Sequence, residues 1–176
     1  SNWGQPVIDE DTGLLYMNTG NQSPYTNLSL TPGPRLYGST IMAIDMKAGK
    51  RVWWLQPMPH DPYDYDCNWS GVLAETTQLG KIYVKGCKEG ILFAMDAKTG
   101  KPKWTVDVHE EIYPGKKNYH LTDPFDTYDM REWKTPENSK YHGKPPILLY
   151  PGWLEGTFGT DTSYDPQTQT LFHYAQ

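Results

Sequence analysis

The chain has 176 residues, 16 of them Lys or Arg and 21 Asp or Glu, for a net charge of −5. That length supports one domain with a real core, and the mild acidic balance excludes a nucleic-acid surface, which needs basic patches. No apolar run approaches the ~18 residues of a membrane helix. No signal peptide is present, and the chain starts at Ser1 without a Met, as a mature or fragmentary protein would.

With 7 Trp, 13 Tyr, 16 Gly and 15 Pro, short strands and many turns are favoured over helices, so the expected class is all-β. Val7-Ile8-Asp9-Glu10-Asp11-Thr12-Gly13-Leu14-Leu15-Tyr16 reads as strand, turn, strand. Further on, Ile41-Met42-Ala43-Ile44-Asp45-Met46-Lys47-Ala48-Gly49-Lys50-Arg51-Val52-Trp53 reappears as Leu92-Phe93-Ala94-Met95-Asp96-Ala97-Lys98-Thr99-Gly100-Lys101-Pro102-Lys103-Trp104. The offset from Asp45 to Asp96 is about 51 residues, in the range of propeller blades. In each copy, alternating apolar residues predict a strand with one face buried. The Asp side chain can bond the turn backbone and the Gly supplies φ > 0. The chain then returns as a second strand, whose Trp can pack between neighbouring sheets. The stretch 110–151 lacks periodicity and reads as a long surface insertion. Ser163-Tyr164-Asp165-Pro166-Gln167-Thr168-Gln169-Thr170-Leu171-Phe172 is a further hairpin.

This reading places one blade at about 7–54, a second at about 71–108 and the start of a third at about 159–176. The expected architecture is a β-propeller of four-stranded antiparallel blades, present as a fragment of about two and a half blades. A ring needs about 4–8 blades, so other propeller segments or subunits are expected to complete it.

Two cysteines, Cys67 and Cys87, are either small buried thiols or a disulfide, which requires an oxidising compartment. Asn-X-Ser sequons at Asn21, Asn27 and Asn68 fit secretion.

The repeat Ala-X-Asp-X-X-Thr-Gly-Lys-X-X-Trp resembles the blade motif of the quinoprotein alcohol and methanol dehydrogenases, propellers that bind pyrroloquinoline quinone. Further segments extend the likeness. Asn2-Trp3-Gly4 followed by Tyr16-Met17-Asn18-Thr19-Gly20-Asn21 is similar to the family's Trp-Gly … Gly-Thr-Gly-Asn pattern. It implies that Trp3 forms a flat floor under the quinone, with Ser1 among the cofactor-binding residues. It also implies that Asn21 reaches both cofactor and metal, an amide oxygen being a hard ligand. Pro59-His60-Asp61-Pro62-Tyr63-Asp64-Tyr65-Asp66 is similar to Pro-His-Asp-X-Trp-Asp, with Tyr63 in place of the Trp. Asp64, 43 residues beyond Asn21, falls at the catalytic, metal-binding aspartate. Asp-X-Asp through Asp66 resembles the lanthanide-dependent methanol dehydrogenases, where a trivalent ion favours an extra anionic oxygen. The same pattern also occurs in relatives that use Ca²⁺ or Mg²⁺. Lys88-Glu89-Gly90 resembles the stretch whose cation faces the reactive quinone oxygen. In Gly156-Thr157-Phe158-Gly159-Thr160-Asp161, Phe158 stands where the family carries an Asn; Thr157 or Asp161 would have to substitute.

The resemblance implies oxidation of a primary alcohol, methanol included, by hydride transfer to metal-bound pyrroloquinoline quinone. Asp64 is the base, Lys88 stabilises the developing charge, and Asn21, Asp64 and Asp66 hold Ca²⁺ or a lanthanide ion. Electrons would pass to a cytochrome c-type acceptor in the periplasm or outside the cell. No Cys-X-X-Cys-His motif provides a covalent haem. The family's remaining metal-binding Glu and its adjacent Cys-Cys pair find no match, so this segment alone is expected to be inactive. A disulfide between Cys67 and Cys87 would brace the Asp64 loop against the Lys88 strand. Two other readings stay open: a non-enzymatic propeller scaffold without quinone, which Phe158 favours, and an aldose dehydrogenase of the same superfamily.

Overall fold

The computed structural model of the chain describes residues 2–23, 33–59, 61, 64–108 and 161–175. Its strands are β1 (Val7–Asp9), β2 (Leu14–Asn18), β3 (Ile41–Asp45), β4 (Lys50–Leu55), β5 (Val72–Thr76), β6 (Gly80–Gly86), β7 (Ile91–Asp96), β8 (Pro102–Asp107), β9 (Thr162–Asp165) and β10 (Thr170–His173). They form two four-stranded sheets, β1-β2-β3-β4 and β5-β6-β7-β8, and the hairpin β9-β10. Every pairing is antiparallel between consecutive strands. Sequential four-stranded meanders packed face to face are the blades of a β-propeller, and about two and a half are present. The proposed insertion at 110–151 lies outside the described residues.

One turn chemistry recurs at the same place in four of the five described hairpins, while in the β5–β6 hairpin Thr76 takes the Asp position and its hydroxyl accepts the Leu79 amide at 3.0 Å. Asp45 Oδ1 accepts the amides of Lys47 and Ala48, both at 2.9 Å. Asp96 Oδ1 accepts the Thr99 amide at 2.9 Å and its hydroxyl at 2.8 Å. Asp9 and Asp165 likewise accept the hydroxyls of Thr12 and Thr168, each at 2.7 Å. The closing residue has positive φ: Gly49 at 62° and Gly100 at 71°, with Gln169 taking the same conformation at 53°. The carboxylate replaces turn backbone partners, and the left-handed residue lets the chain reverse.

The blades are joined by aromatic stacking and by a shared acceptor. Leu14, Tyr16, Ile41, Ala43 and Trp53 of the first sheet bury against Tyr83, Phe93, Met95 and Ala97 of the second. Tyr16 and Tyr83 stack with centroids 4.6 Å apart. The Trp53 indole N–H and the Tyr16 hydroxyl both donate to the Ala97 carbonyl, at 2.9 and 3.0 Å. The opposite face of the second sheet, through Ala74, Ile82, Val84, Leu92 and Ala94, packs against Tyr164 and Leu171 of the β9-β10 hairpin.

This stacking corrects one expectation. Residues Ile91 to Met95 of β7 are buried on both faces, not one. The second blade lies between two others, so its solvent face is a second core. Alternation in the sequence is therefore weak there: Leu92-Phe93-Ala94-Met95 is apolar throughout.

Antiparallel order also sorts the loops. The tight hairpin turns follow every odd-numbered strand and lie at one end of the sheets. The segment before β1, the β2–β3 and β4–β5 connections, the β6–β7 turn and the segment before β9 all lie at the other end. Trp3, Asn21, Asp64, Asp66, Lys88 and Asp161 come from these connections. The fold therefore delivers them to one end of the sheets, although they are scattered along the sequence.

Candidate functional site

At that end the β4–β5 connection is irregular backbone pinned to its neighbours from several sides. The Asp66 carbonyl accepts the Lys88 amide at 3.1 Å, and the Asn68 carbonyl accepts the Gly4 amide at 3.0 Å. Asp61, itself buried, turns its Oδ2 onto the Tyr65 amide at 2.6 Å. This short loop closure puts Asp64 at φ 63°, a left-handed conformation that Asp tolerates better than most residues. Cys67 and Cys87 are joined in a disulfide with Cα atoms 4.5 Å apart, and both are buried.

The charged groups converge around Lys88. Its ammonium lies 3.3 Å from Asp66 Oδ2 and 3.6 Å from Asp64 Oδ2. Lys88 and Asp66 are each 2 % exposed, whereas the Asp64 side chain keeps a quarter of its surface open to solvent. Burial pushes the Asp64 carboxyl above its usual range. The charge on Lys88 pulls it back, and that on Asp66 adds to the rise. Asp66 Oδ1 accepts the Asn21 amide at 2.7 Å. Asn21 Nδ2 donates to the Asp61 carbonyl at 3.3 Å, while its Oδ1 accepts the Gln22 amide at 2.7 Å. Asn21, Asp64, Asp66 and Lys88 thus form one connected cluster.

Trp3 sits at the rim. Its indole is 61 % exposed and meets Trp69 edge-on, with centroids 5.9 Å apart. A Cβ on Gly4 would come within 2.3 Å of the Asn68 carbonyl oxygen, so only glycine lets the segment before β1 lie against the loop. Asp161 does not join the cluster; its Oδ1 accepts the Ser70 amide at 3.1 Å. Ser1, His60, Tyr63, Thr157 and Phe158 lie outside the described residues.

Several participants were not singled out from the sequence. Asp61 shapes the loop that carries Asp64, and its signal was its place in the Pro-His-Asp segment. Trp69 supports Trp3. Lys85 and Glu89 are fully buried next to this cluster; burial lowers the Lys85 amine to about 8 and raises the Glu89 carboxyl to about 8. Asn68 is a correction to the sequon reading. It is 1 % exposed, so its amide is not open to a glycan, and neither of its side-chain polar atoms finds a hydrogen-bond partner.

The donor set suits a hard cation. Two carboxylates and one amide supply oxygen only, and an ammonium already stands between the two carboxylates. Ca²⁺ takes about 6–8 oxygens, so this chain offers part of a coordination shell. The two carboxylates match such an ion in donor type, although among the described residues no group of three or more His, Cys, Asp or Glu is gathered to hold a metal.

Comparison with known proteins gives the setting. Residues 1–143 match the family described as PQQ: glucose/ethanol/alcohol dehydrogenase, β-propeller domain. The chain is 32% identical over 179 residues to a quinohemoprotein alcohol dehydrogenase of Comamonas testosteroni, covering 99% of this chain and 24% of that protein. It is 34% identical over 175 residues to the quinohemoprotein alcohol dehydrogenase ADH IIB of Pseudomonas putida, covering 97% of this chain and 24% of that one. The chain thus spans about a quarter of the length of these relatives. In fold it is similar to a solved europium-containing methanol dehydrogenase, with a TM-score of 0.75 at 21% identity, covering 97% of this chain and 29% of that one.

Proposed function

This chain belongs to the PQQ family of glucose, ethanol and alcohol dehydrogenase β-propeller domains, and from that membership we propose that it forms part of the active site of an extracytoplasmic alcohol dehydrogenase. The observation that carries this is the cluster itself: Asp64 and Asp66 within 3.6 Å of the Lys88 ammonium, at the strand end that also presents an exposed Trp.

Each residue has a chemical task. Asp64 is the group to accept the proton of the alcohol hydroxyl. It is the solvent-accessible carboxylate of the pair, and its raised pKa makes it a stronger base. Lys88, a buried cation held by two carboxylates, sits where it can stabilise negative charge that develops beside it. Asn21, Asp64 and Asp66 would hold Ca²⁺ or a lanthanide ion, and the second carboxylate adds the anionic oxygen that a trivalent ion favours. Trp3 offers a flat face for a planar ring, with Trp69 fixing its tilt. When bound, pyrroloquinoline quinone supplies the acceptor for the hydride and its two electrons, which the chain has no group of its own to take. The two relatives are quinohemoproteins by name, and a cytochrome c-type haem is the acceptor this reading implies for the electrons.

The test is binding and turnover on the intact protein. It is expected to take up Tb³⁺ or Ca²⁺ together with pyrroloquinoline quinone and to reduce a dye with a primary alcohol as donor. D64N is expected to lower that rate by about 10²-fold or more. A protein that binds neither cation nor quinone, or a D64N variant with full activity, would sink the proposal.

A further inference from the structure

The proposed function assigns no chemical step to Cys67 and Cys87, yet they sit beside its charged groups. Cys67 directly follows Asp66, and Cys87 directly precedes Lys88. The bond between them closes a loop with a sequence separation of 20. On one side it holds the residue that follows β6, a strand paired on both edges within a four-stranded sheet. On the other it holds 64–70, which belongs to no strand and is otherwise held by non-covalent contacts: hydrogen bonds to Gly4, Gln5, Asn18, Asn21 and Asp161 and the ion pairs with Lys88. The Asp66–Lys88 contact spans 3.3 Å, and an adjoining backbone bond from the Lys88 amide to the Asp66 carbonyl measures 3.1 Å. Both distances depend on the relative position of the two segments that the disulfide locks.

We propose that the Cys67–Cys87 disulfide is a positioning element for the cation site: it sets the separation of Asp64 and Asp66 from Lys88, and cation affinity depends on it. The proposal rests on the alcohol dehydrogenase reading for the identity of the ligand as a hard cation, but not for the brace itself. The physical basis is preorganisation. Without a covalent tie, the irregular loop that carries both carboxylates and the segment that carries Lys88 can drift relative to one another. The cation would then have to restore their spacing at the expense of its own binding. In the bonded form that spacing already exists. Both sulfurs are buried, with exposures of 1 % and 0 %, so the bond is shielded from thiols in solution and acts as a permanent brace.

The experiment compares the intact protein with C67A/C87A. Removing both sulfurs avoids a stranded thiol. Tb³⁺ luminescence sensitised by the nearby indoles, with Ca²⁺ as competitor, reads cation affinity; circular dichroism checks that the sheets persist. L14A, a core change in the first blade far along the chain from the cluster, controls for general loss of stability. The double variant is expected to bind Tb³⁺ at least about tenfold more weakly, and L14A within about twofold of the parent. Equal affinity in C67A/C87A and the parent overturns the proposal, and so does an equal loss in L14A.

Amide hydrogen exchange of the parent supplies a readout that needs neither a variant nor a metal. The brace predicts that the amides of Tyr65, Asp66 and Asn68 exchange as slowly as those of β6, although they lie outside any strand. Exchange as fast as in an open loop overturns it, including in the case where C67A/C87A does not fold. A parent protein that shows this protection but binds no Tb³⁺ refutes the cation reading and leaves the brace standing.

Discussion

Lys88 carries the largest electrostatic burden of any single residue in the cluster. It is a buried cation whose nearest counter-charges are Asp66, equally buried, and Asp64, at 3.3 and 3.6 Å. Breaking a buried pair by removing one partner leaves the other charge without compensation. K88M is therefore expected to lower the stability of the cation-free protein by about 3–5 kcal/mol, measured by urea unfolding. Added Ca²⁺ is expected to recover part of that loss, because it supplies the missing positive charge to the same carboxylates. If K88M is as stable as the parent without added cation, the three groups are not electrostatically coupled as the distances imply. Asp64 differs from Asp66 in kind as well as exposure: one is open on a left-handed turn, the other closed against Asn21 and Lys88. That asymmetry is why Asp64, and not Asp66, is assigned the proton.

Among the elements, β4 and the β7–β8 turn hold the two blades in register. Trp53 projects from β4, its N–H bonds the Ala97 carbonyl at 2.9 Å, and its ring covers Gly100. A Cβ at Gly100 would lie 2.6 Å from the indole, and the backbone there has φ 71°. Both terms act against any side chain. W53A is expected to cost about 3–5 kcal/mol, from lost burial and the cavity left behind. G100A is expected to destabilise as well, by displacing the same ring. Chemical denaturation of the two single variants and the double checks this: because they disturb one contact, the double variant should lose less than the sum. Additive losses would mean that Trp53 and Gly100 act separately. The repeat in the sequence made both residues visible, since Asp-X-X-Thr-Gly and the returning Trp are local patterns with local physical causes. It did not reveal that Trp53 of one blade seats on the turn of the next. That contact joins residues far apart in the chain and arises only when sheets stack.

For the molecule as a whole, the buried pair Lys85 and Glu89 makes stability depend on pH in a recognisable way. Burial raises the Glu89 carboxyl from 4.5 to about 8, with Asp61 adding to the rise and Lys85 opposing it. Between those values the folded state keeps a proton that the unfolded chain has lost, so stability falls as pH rises from 4.5 to about 8. Burial lowers Lys85 from 10.5 to about 8. Above about pH 8 the unfolded chain holds the extra proton, so this group's contribution rises with pH. The combined contribution of these two groups is lowest near pH 8. E89Q is expected to remove the falling limb, so that its stability relative to the parent grows between pH 5 and pH 8 in thermal melts. Parallel curves for the two proteins would show that Glu89 keeps an ordinary pKa. The sequence by itself determined the all-β class, the blade repeat and the Asp-based turns, because turn chemistry and alternation act over a few neighbouring residues, and its resemblance to a known family supplied the four residues of the candidate cluster. Tertiary structure alone decided that Asn21, Asp64, Asp66 and Lys88 meet, that Cys67 pairs with Cys87, that Asp61 closes the loop under Asp64, that Asn68 is buried, and that β7 is covered on both faces. Each of these depends on how antiparallel order gathers distant loops at one end of the sheets and on which blade lies against which.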